Sequence, residues 1–137
     1  MYLLDTEFLV AARRGAPQAA TWLRSVDPLS IHLSVLTLGA ITRGIVHKQP
    51  PSSDTAQPLV EWLRRLRHNH ADRILPVTDQ IATTWGRIVG TSSCRSIDGL
   101  LAATAIVHDL LLVTRRGAVF TDTGASMIDP WDPEPHR

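Results

Sequence analysis

The chain has 137 residues, of which 44% are hydrophobic, and this length and composition suit one globular domain with a real core. The formal net charge is +1, so charge alone identifies neither a nucleic-acid partner nor a membrane partner. The single cysteine, Cys94, excludes an intramolecular disulfide and a cysteine-based zinc site, and no apolar run approaches the roughly 18 residues of a membrane span.

The first half of the chain alternates short apolar strands with helices. The letters "YLL" before Asp5 predict a buried strand, followed by a helix over about residues 6–14 that stops at "GAP". A second helix is predicted over about 18–26, then a strand in "SIHLSV" and a helix in "LTLGAITRGIVHK". The segment "QPPSSD" predicts a loop in which Ser53 or Asp54 caps the next helix.

The second half repeats the alternation. A helix is predicted over about 55–70, and "RILPVT" predicts a short strand. Asp79 is the predicted N-cap of the following helix, and Ser96 caps "IDGLLAATAIVHD", which is apolar almost all round and should therefore be buried. The letters "LLLVT" and "ASMI" predict two further strands, and a tail is expected from Asp129 onward.

Strands that alternate with helices predict an α/β fold with a mainly parallel sheet and helices on both faces. Ligands of such sheets bind at the carboxyl edge of the strands, where the strand order reverses. Several residues of the chain should therefore meet on one rim. They are Asp5 after the first strand, Asp98 in the first turn of a helix, and Thr114, Arg115 and Arg116 at the end of "LLLVT".

Two carboxylates that converge on one edge repel each other unless a cation lies between them or one takes up a proton. Mg²⁺ suits such a pair, because it binds through one or two carboxylates and adds water and phosphate oxygens. Asp5 and Asp98 are the predicted ligands, with Glu7 as a third candidate, and the metal could activate water for phosphodiester cleavage. The rival occupant is the guanidinium of Arg115 or Arg116, which can also bridge two carboxylates.

Each acid also has an interpretation that involves no chemistry. Asp98 could serve only to stabilise the dipole of its helix. Asp5 could cap the first helix, and Glu7 could be a solvated acid in its first turn. These alternatives stay open on the residues alone.

Five segments in register resemble a PIN domain of the VapC group of toxin ribonucleases: "YLLDTEFLV", "LSVLTLGAITRGI", "ILPVTDQIATTWGRI", "IDGLLAATAIVHDLLLVTR" and "IDPW". The resemblance implies a single PIN-like domain over 1–131 with a tail over 132–137, folded as a three-layer α/β/α sandwich. The implied activity is RNA cleavage with Mg²⁺, or with Mn²⁺ in its place. The implied partners are a cognate antitoxin that inserts into the active-site groove, an RNA substrate and a second copy of the chain. No membrane partner is expected, and the expected location is the cytoplasm.

The acidic cluster of the family carries over only in part. Asp5 and Asp98 match two of its acids. Ala40 stands where the family has the glutamate of "LTLGE", and Val119 stands where it has an aspartate just before the phenylalanine. Arg116 replaces the asparagine of "TRN". Two expected acids are therefore missing and a basic residue has been added.

Three hypotheses follow. The chain is the toxin of a toxin–antitoxin pair and a weakened Mg²⁺-dependent endoribonuclease, or it is an inactive PIN domain that binds an antitoxin or RNA. The third hypothesis is an engineered inactive toxin, which explains Ala40 but not Arg116 and Val119. Because an antitoxin typically presents an arginine to an acidic groove, the missing acids also predict weaker, more hydrophobic antitoxin binding.

Overall fold

The computed structural model describes residues 1–48, 54, 56–89 and 96–132 of the chain. In chain order the elements are β1 (Tyr2–Leu4), α1 (Thr6–Arg13), α2 (Pro17–Ser25), a 3-10 turn (Pro28–Ser30), β2 (Ile31–Ser34), α3 (Val35–Lys48), α4 (Gln57–Asn69), β3 (Ile74–Leu75), α5 (Asp79–Val89), α6 (Ser96–Val107), β4 (Leu111–Val113), α7 (Gly117–Phe120) and β5 (Met127–Ile128). Within these ranges the strands form one parallel sheet in the order β3-β2-β1-β4-β5. The predicted α/β fold with a parallel sheet is confirmed.

Neighbouring residues of the central strands enter two different cores, as the alternation of side chains along a strand requires. Leu4 and Val113 pack with α1 to α4 on one face of the sheet. Leu3 and Leu112 pack with α5 to α7 on the other face. Both faces are covered because a parallel sheet is buried on both sides by its crossover helices. The predicted three-layer α/β/α sandwich is confirmed.

The strand order reverses between β1 and β4, and this is where ligands of open parallel sheets bind. Leu4 pairs with Val113 in the parallel register, and the backbone N–H of Asp5 donates to the carbonyl of Val113 over 3.0 Å. Asp5 and Thr114, the next residues of the two strands, therefore leave the sheet side by side at its carboxyl edge.

Two predictions near element ends were wrong. Asp79 is the first residue of α5 and not its N-cap; the hydroxyl of Thr78 accepts from the backbone N–H of Ile81 over 3.2 Å, as an N-cap side chain does. The tail does not begin at Asp129, because the Trp131 ring packs edge-on against Phe8 with centroids 5.8 Å apart. Both corrections move a boundary and leave the topology unchanged.

Other boundary predictions have mixed outcomes. Pro17 was predicted to belong to the segment that ends the first helix, but it is the first residue of α2. A proline is tolerated there because the first helical position has no hydrogen bond to lose. The four-residue helix α7 was not predicted. The prediction that Ser53 or Asp54 caps the helix after the loop was wrong, because the N-cap of α4 is Ala56. Ser53 itself, the side chain of Ser96 and the tail residues 133–137 lie outside the described part of the chain. No helix within that part is both long and apolar enough to cross a membrane.

Candidate active site

Asp5 is the buried centre of the carboxyl rim. It occupies the N-cap position of α1, but its side chain makes no capping hydrogen bond, so the capping interpretation is wrong. The residue is only 1% exposed, and an unpaired charge at such a depth would be strongly destabilising. Its carboxylate instead accepts hydrogen bonds from the Thr114 hydroxyl, over 2.8 Å, and from Arg116.

Arg116 lies between the two carboxylates that the sequence assigned to a shared cation. Its Nε and Nη2 each lie 3.0 Å from one oxygen of Asp5, which makes a bidentate pair. The same Nη2 is 2.9 Å from Oδ1 of Asp98, and Nη1 is 3.4 Å from Oδ2. We call this arrangement the arginine bridge. The structure therefore brings Asp5 and Asp98 together around a guanidinium.

Glu7 and Arg115 form the outer part of the same cluster. Glu7 Oε1 accepts from Nε of Arg115 over 2.7 Å, and Oε2 lies 3.3 Å from Nε of Arg116. The guanidinium of Arg115 also stacks over the Trp131 ring, 4.7 Å from its centroid. Because the side chains of Glu7 and Arg115 are 38% and 44% exposed, their pair contributes little to stability.

Thr114 orients the arginine bridge. Its hydroxyl donates to Asp5 and accepts from the backbone N–H of Arg116 over 2.9 Å. This second bond turns the chain immediately after β4, so that the side chain of Arg116 returns over Asp5. Thr114 is only 1% exposed, and water does not compete for either bond.

Thr114→Val is expected to lower the free energy of unfolding by about 2 kcal/mol, because buried polar groups lose their partners. The backbone N–H of Arg116 loses an acceptor, and Asp5 loses a donor. Urea denaturation measures the change, with Thr114→Ser as the control that keeps the hydroxyl. A Thr114→Val chain as stable as the Thr114→Ser chain would contradict this role.

The electrostatics of the cluster favour a permanently charged Arg116. Hydrogen bonding to Asp5 raises the pKa of Arg116 above its ordinary value, partial burial opposes this, and Asp98 adds to the rise. The guanidinium is therefore protonated at neutral pH. With three carboxylates and two arginines, the cluster has a formal charge of −1.

The three carboxylates of the cluster and Arg116 line an open cavity of about 390 Å³, which we call the acid-site cavity. Ala40 lines it, so the missing glutamate leaves a methyl group there, whereas Val119 is not among the lining residues. Sequence reasoning did not find the other walls, although they lie in the helices that follow β1 and β2 and in α6 beside Asp98, which was a usable signal. These walls are Thr6, Val10, Leu36, Thr37, Ile97 and Leu101.

These residues do not fit a resident divalent ion while the arginine bridge is in place. Among the described residues, no three His, Cys, Asp or Glu side chains converge as a metal cluster. The oxygen donors would be those of Asp5, Asp98 and Glu7, and all three carboxylates already contact Arg116. A metal ion between them would lie against a fixed positive charge. The assignment of Asp5 and Asp98 as metal ligands stays a prediction.

Comparison with known proteins agrees with the resemblance. The PIN domain family matches residues 2–125. The chain is 24% identical to VapC ribonuclease Y4jK of Sinorhizobium fredii (strain NBRC 101917 / NGR234), over 97% of this chain and 99% of that protein. It is 27% identical to Toxin FitB of Neisseria gonorrhoeae (strain ATCC 700825 / FA 1090), over 96% and 99% respectively.

Solved structures give the same result. A chain of the FitAB complex bound to the IR36 DNA fragment superposes with a TM-score of 0.88 at 26% identity, over the full length of both chains. A chain of VapBC-1 from nontypeable Haemophilus influenzae shares the fold, with a TM-score of 0.76 at 18% identity over 96% of this chain and 98% of that one. With the sheet, the acidic rim and a family match over most of its length, the chain belongs to the PIN domain family.

Proposed function

We propose that this chain is the toxin-type member of a toxin–antitoxin pair in which the arginine bridge closes the RNA-cleaving site to divalent metal. Full-length similarity to a VapC ribonuclease and to Toxin FitB supports the toxin assignment. The observation that carries the closed site is the contact of one guanidinium nitrogen with both Asp5 and Asp98. RNA cleavage by the unaltered chain is then far weaker than in a relative with the complete acidic cluster.

Arg116 offsets part of the negative charge of the acids but does not replace a metal ion in the chemistry. A bound divalent ion lowers the pKa of its water and so supplies a nucleophile at neutral pH. The guanidinium has a pKa above its ordinary value, so it cannot take a proton from water. Oδ1 of Asp5 and Oδ1 of Asp98 both accept hydrogen bonds from Nη2 of this guanidinium, so neither oxygen is free to hold a metal ion.

A second candidate function is a weakened Mg²⁺- or Mn²⁺-dependent ribonuclease. One observation favours it: an oxygen of Asp5 and an oxygen of Asp98 both lie within 3.0 Å of the same nitrogen. If Arg116, whose side chain is 31% exposed, turned outward, two carboxylates would face one small volume. Such a site could hold one metal ion through Asp5 and Asp98, with Glu7 beside it.

The proposed partners are a cognate antitoxin, a single-stranded RNA substrate in the ancestral activity, and a second copy of the chain. The solved FitAB and VapBC complexes support the antitoxin. A homodimer is a further expectation, which light scattering on the purified chain would check.

The proposal is tested by two measurements on the purified full chain. Single-stranded RNA is incubated with Mg²⁺, Mn²⁺ or EDTA, and we expect the unaltered chain and Asp98→Asn to give the same background. Metal-dependent cleavage that Asp98→Asn abolishes would overturn the closed site in favour of the weakened ribonuclease. Co-expression with a candidate antitoxin encoded beside the gene should give a stoichiometric complex, and its absence would count against the toxin assignment.

A further inference from the structure

We propose that a second cavity, lined by Arg14 and Arg115, binds a phosphate group of an RNA strand without a divalent metal. This cavity has a volume of about 320 Å³, and we call it the arginine cavity. That the strand is RNA rests on the proposed function. The phosphate site itself follows from the charges and contacts of the arginine cavity, which neither Asp5 nor Asp98 lines.

The charge of the arginine cavity is opposite in sign to that of the acid-site cavity. Among the described residues that line it, the charged ones are Arg14, Arg115 and Glu7, and their formal charges sum to +1. The acid-site cavity is lined by three carboxylates and one arginine. An anion is therefore attracted to the arginine cavity and repelled by its neighbour.

Arg14 is the uncommitted donor of the arginine cavity. Its side chain is exposed, and it makes no ion pair with a carboxylate of the described ranges. It occupies the C-cap of α1, and Gly15 follows it at a φ of +85°, where the chain turns toward α2. A guanidinium has five N–H donors in a fork that matches a phosphate, so Arg14 can bind one without breaking an existing ion pair.

Arg115 is held in place from two sides. Its Nε lies 2.7 Å from Oε1 of Glu7, and its guanidinium stacks over the Trp131 ring, 4.7 Å from the centroid. The contact with Glu7 uses Nε, and the two terminal nitrogens have no carboxylate contact in the part of the chain that the structure describes. Because the side chain is already ordered, a ligand that binds those nitrogens loses little conformational entropy.

The other walls of the arginine cavity let a phosphate approach closely. Ala11, Gly15 and Ala16 are small, and a Cβ atom built on Gly15 would have no other atom within 4 Å. Ala16 is also the N-cap of α2, which has neither a side-chain cap nor an acid in its first turn. The positive end of the α2 dipole therefore adds to the attraction of the two arginines.

The position of the arginine cavity favours an RNA strand over an acidic side chain of a protein. Glu7 and Val10 line both cavities, so the arginine cavity adjoins the acid-site cavity. A nucleic-acid strand carries a phosphate at every nucleotide. A strand that passes the acid-site cavity therefore brings a neighbouring phosphate to Arg14 and Arg115, whereas a carboxylate on a partner protein has no such obligatory neighbour.

The test measures the binding of fluorescein-labelled hexauridylate to the purified full chain by fluorescence anisotropy in EDTA. We expect Arg14→Gln and Arg115→Gln each to weaken binding about tenfold, because each removes a charge-assisted contact. Arg24→Gln is the matched control, since Arg24 is exposed and does not line the arginine cavity, and it should change the affinity less than about twofold. The slope of log Kobs against log salt should become shallower by about 0.7 in Arg14→Gln, as expected for one lost phosphate contact.

Equal affinities of Arg14→Gln and Arg24→Gln, or no binding by the unaltered chain, would overturn the inference. Equal binding of a methylphosphonate hexauridine would overturn it too, because that backbone carries no charge. Competition at matched ionic strength separates the two sources of anion. Inorganic phosphate should displace the labelled strand, whereas displacement by the peptide acetyl-AAEAA-amide at a lower concentration than phosphate would assign the cavity to a carboxylate and contradict the inference.

These outcomes are distinguishable from a failure of the proposed function. The binding measurements contain no divalent metal and no antitoxin, so a negative result leaves the closed site at Asp5 and Asp98 untouched. Metal-dependent cleavage of RNA by the unaltered chain would instead overturn the closed site, and the phosphate site at Arg14 and Arg115 would stand.

Discussion

Replacing Arg116 with methionine is expected to lower the free energy of unfolding by about 3 kcal/mol when no divalent metal is present. Methionine keeps an apolar stem but removes the guanidinium. Among the described residues, the carboxylate of Asp5 then retains only the Thr114 hydroxyl as a side-chain donor. Losing one partner of a buried ion pair is costly because the remaining charge stays out of water. Urea denaturation in EDTA measures the loss.

Mg²⁺ is expected to raise the free energy of unfolding of the same variant, but not that of the unaltered chain. Without Arg116, Asp5 and Asp98 face a gap that a cation can fill, and a ligand at 100 times its Kd stabilises a folded protein by about 2.7 kcal/mol. Arg115→Met is the matched control: its exposed pair with Glu7 should be worth less than about 1 kcal/mol, and no metal response should appear. Equal stabilisation of the unaltered chain by Mg²⁺ would show that the arginine bridge does not exclude the ion.

The largest expected effect on activity comes from restoring the acids. A variant with Ala40→Glu, Val119→Asp and Arg116→Asn should cleave single-stranded RNA with Mg²⁺ at least about 100-fold faster than the unaltered chain, since losses around a metal site cost about 10–100-fold each. Ala40 lines the same cavity as Asp5 and Asp98, so a glutamate there adds a carboxylate to the cluster. Val119 is not among the lining residues of that cavity, and we expect it to contribute least.

Two controls make this result specific. Ala40→Gln with Val119→Asn and Arg116→Asn has nearly the same shape as the restored variant but no new carboxylate, and it should stay near background. Asp98→Asn added to the restored variant should abolish cleavage. If the unaltered chain already cleaves RNA as fast as the restored one, the missing acids and Arg116 do not limit the activity.

The sheet edge could be predicted from the sequence because it depends on local pattern and on a general rule of parallel sheets. β1 ends just before Asp5, and β4 ends just before Thr114. The two strands are neighbours in the sheet, at the point where the strand order reverses. Asp98 reaches the same edge because it lies in the first turn of α6, the helix that leads into β4. The sequence alone therefore placed Asp5, Asp98, Thr114, Arg115 and Arg116 at this edge.

The occupant of that edge could not be predicted in the same way. Both a metal ion and an arginine satisfy two carboxylates, and the choice depends on where the chain turns after β4. That turn is set by the Thr114 hydroxyl, which contacts a carboxylate 109 residues away in the sequence. The packing of Trp131 on Phe8 is equally non-local, and this explains why the tail was placed too early.

The central claim is that Arg116, and not a divalent ion, lies between Asp5 and Asp98. Anomalous diffraction from crystals of the unaltered chain soaked in Mn²⁺ tests it most directly. We expect no anomalous peak within ligand distance of the two carboxylates, and continuous density for the guanidinium of Arg116 between them. A Mn²⁺ peak between Asp5 and Asp98, with Arg116 turned outward, would contradict the claim.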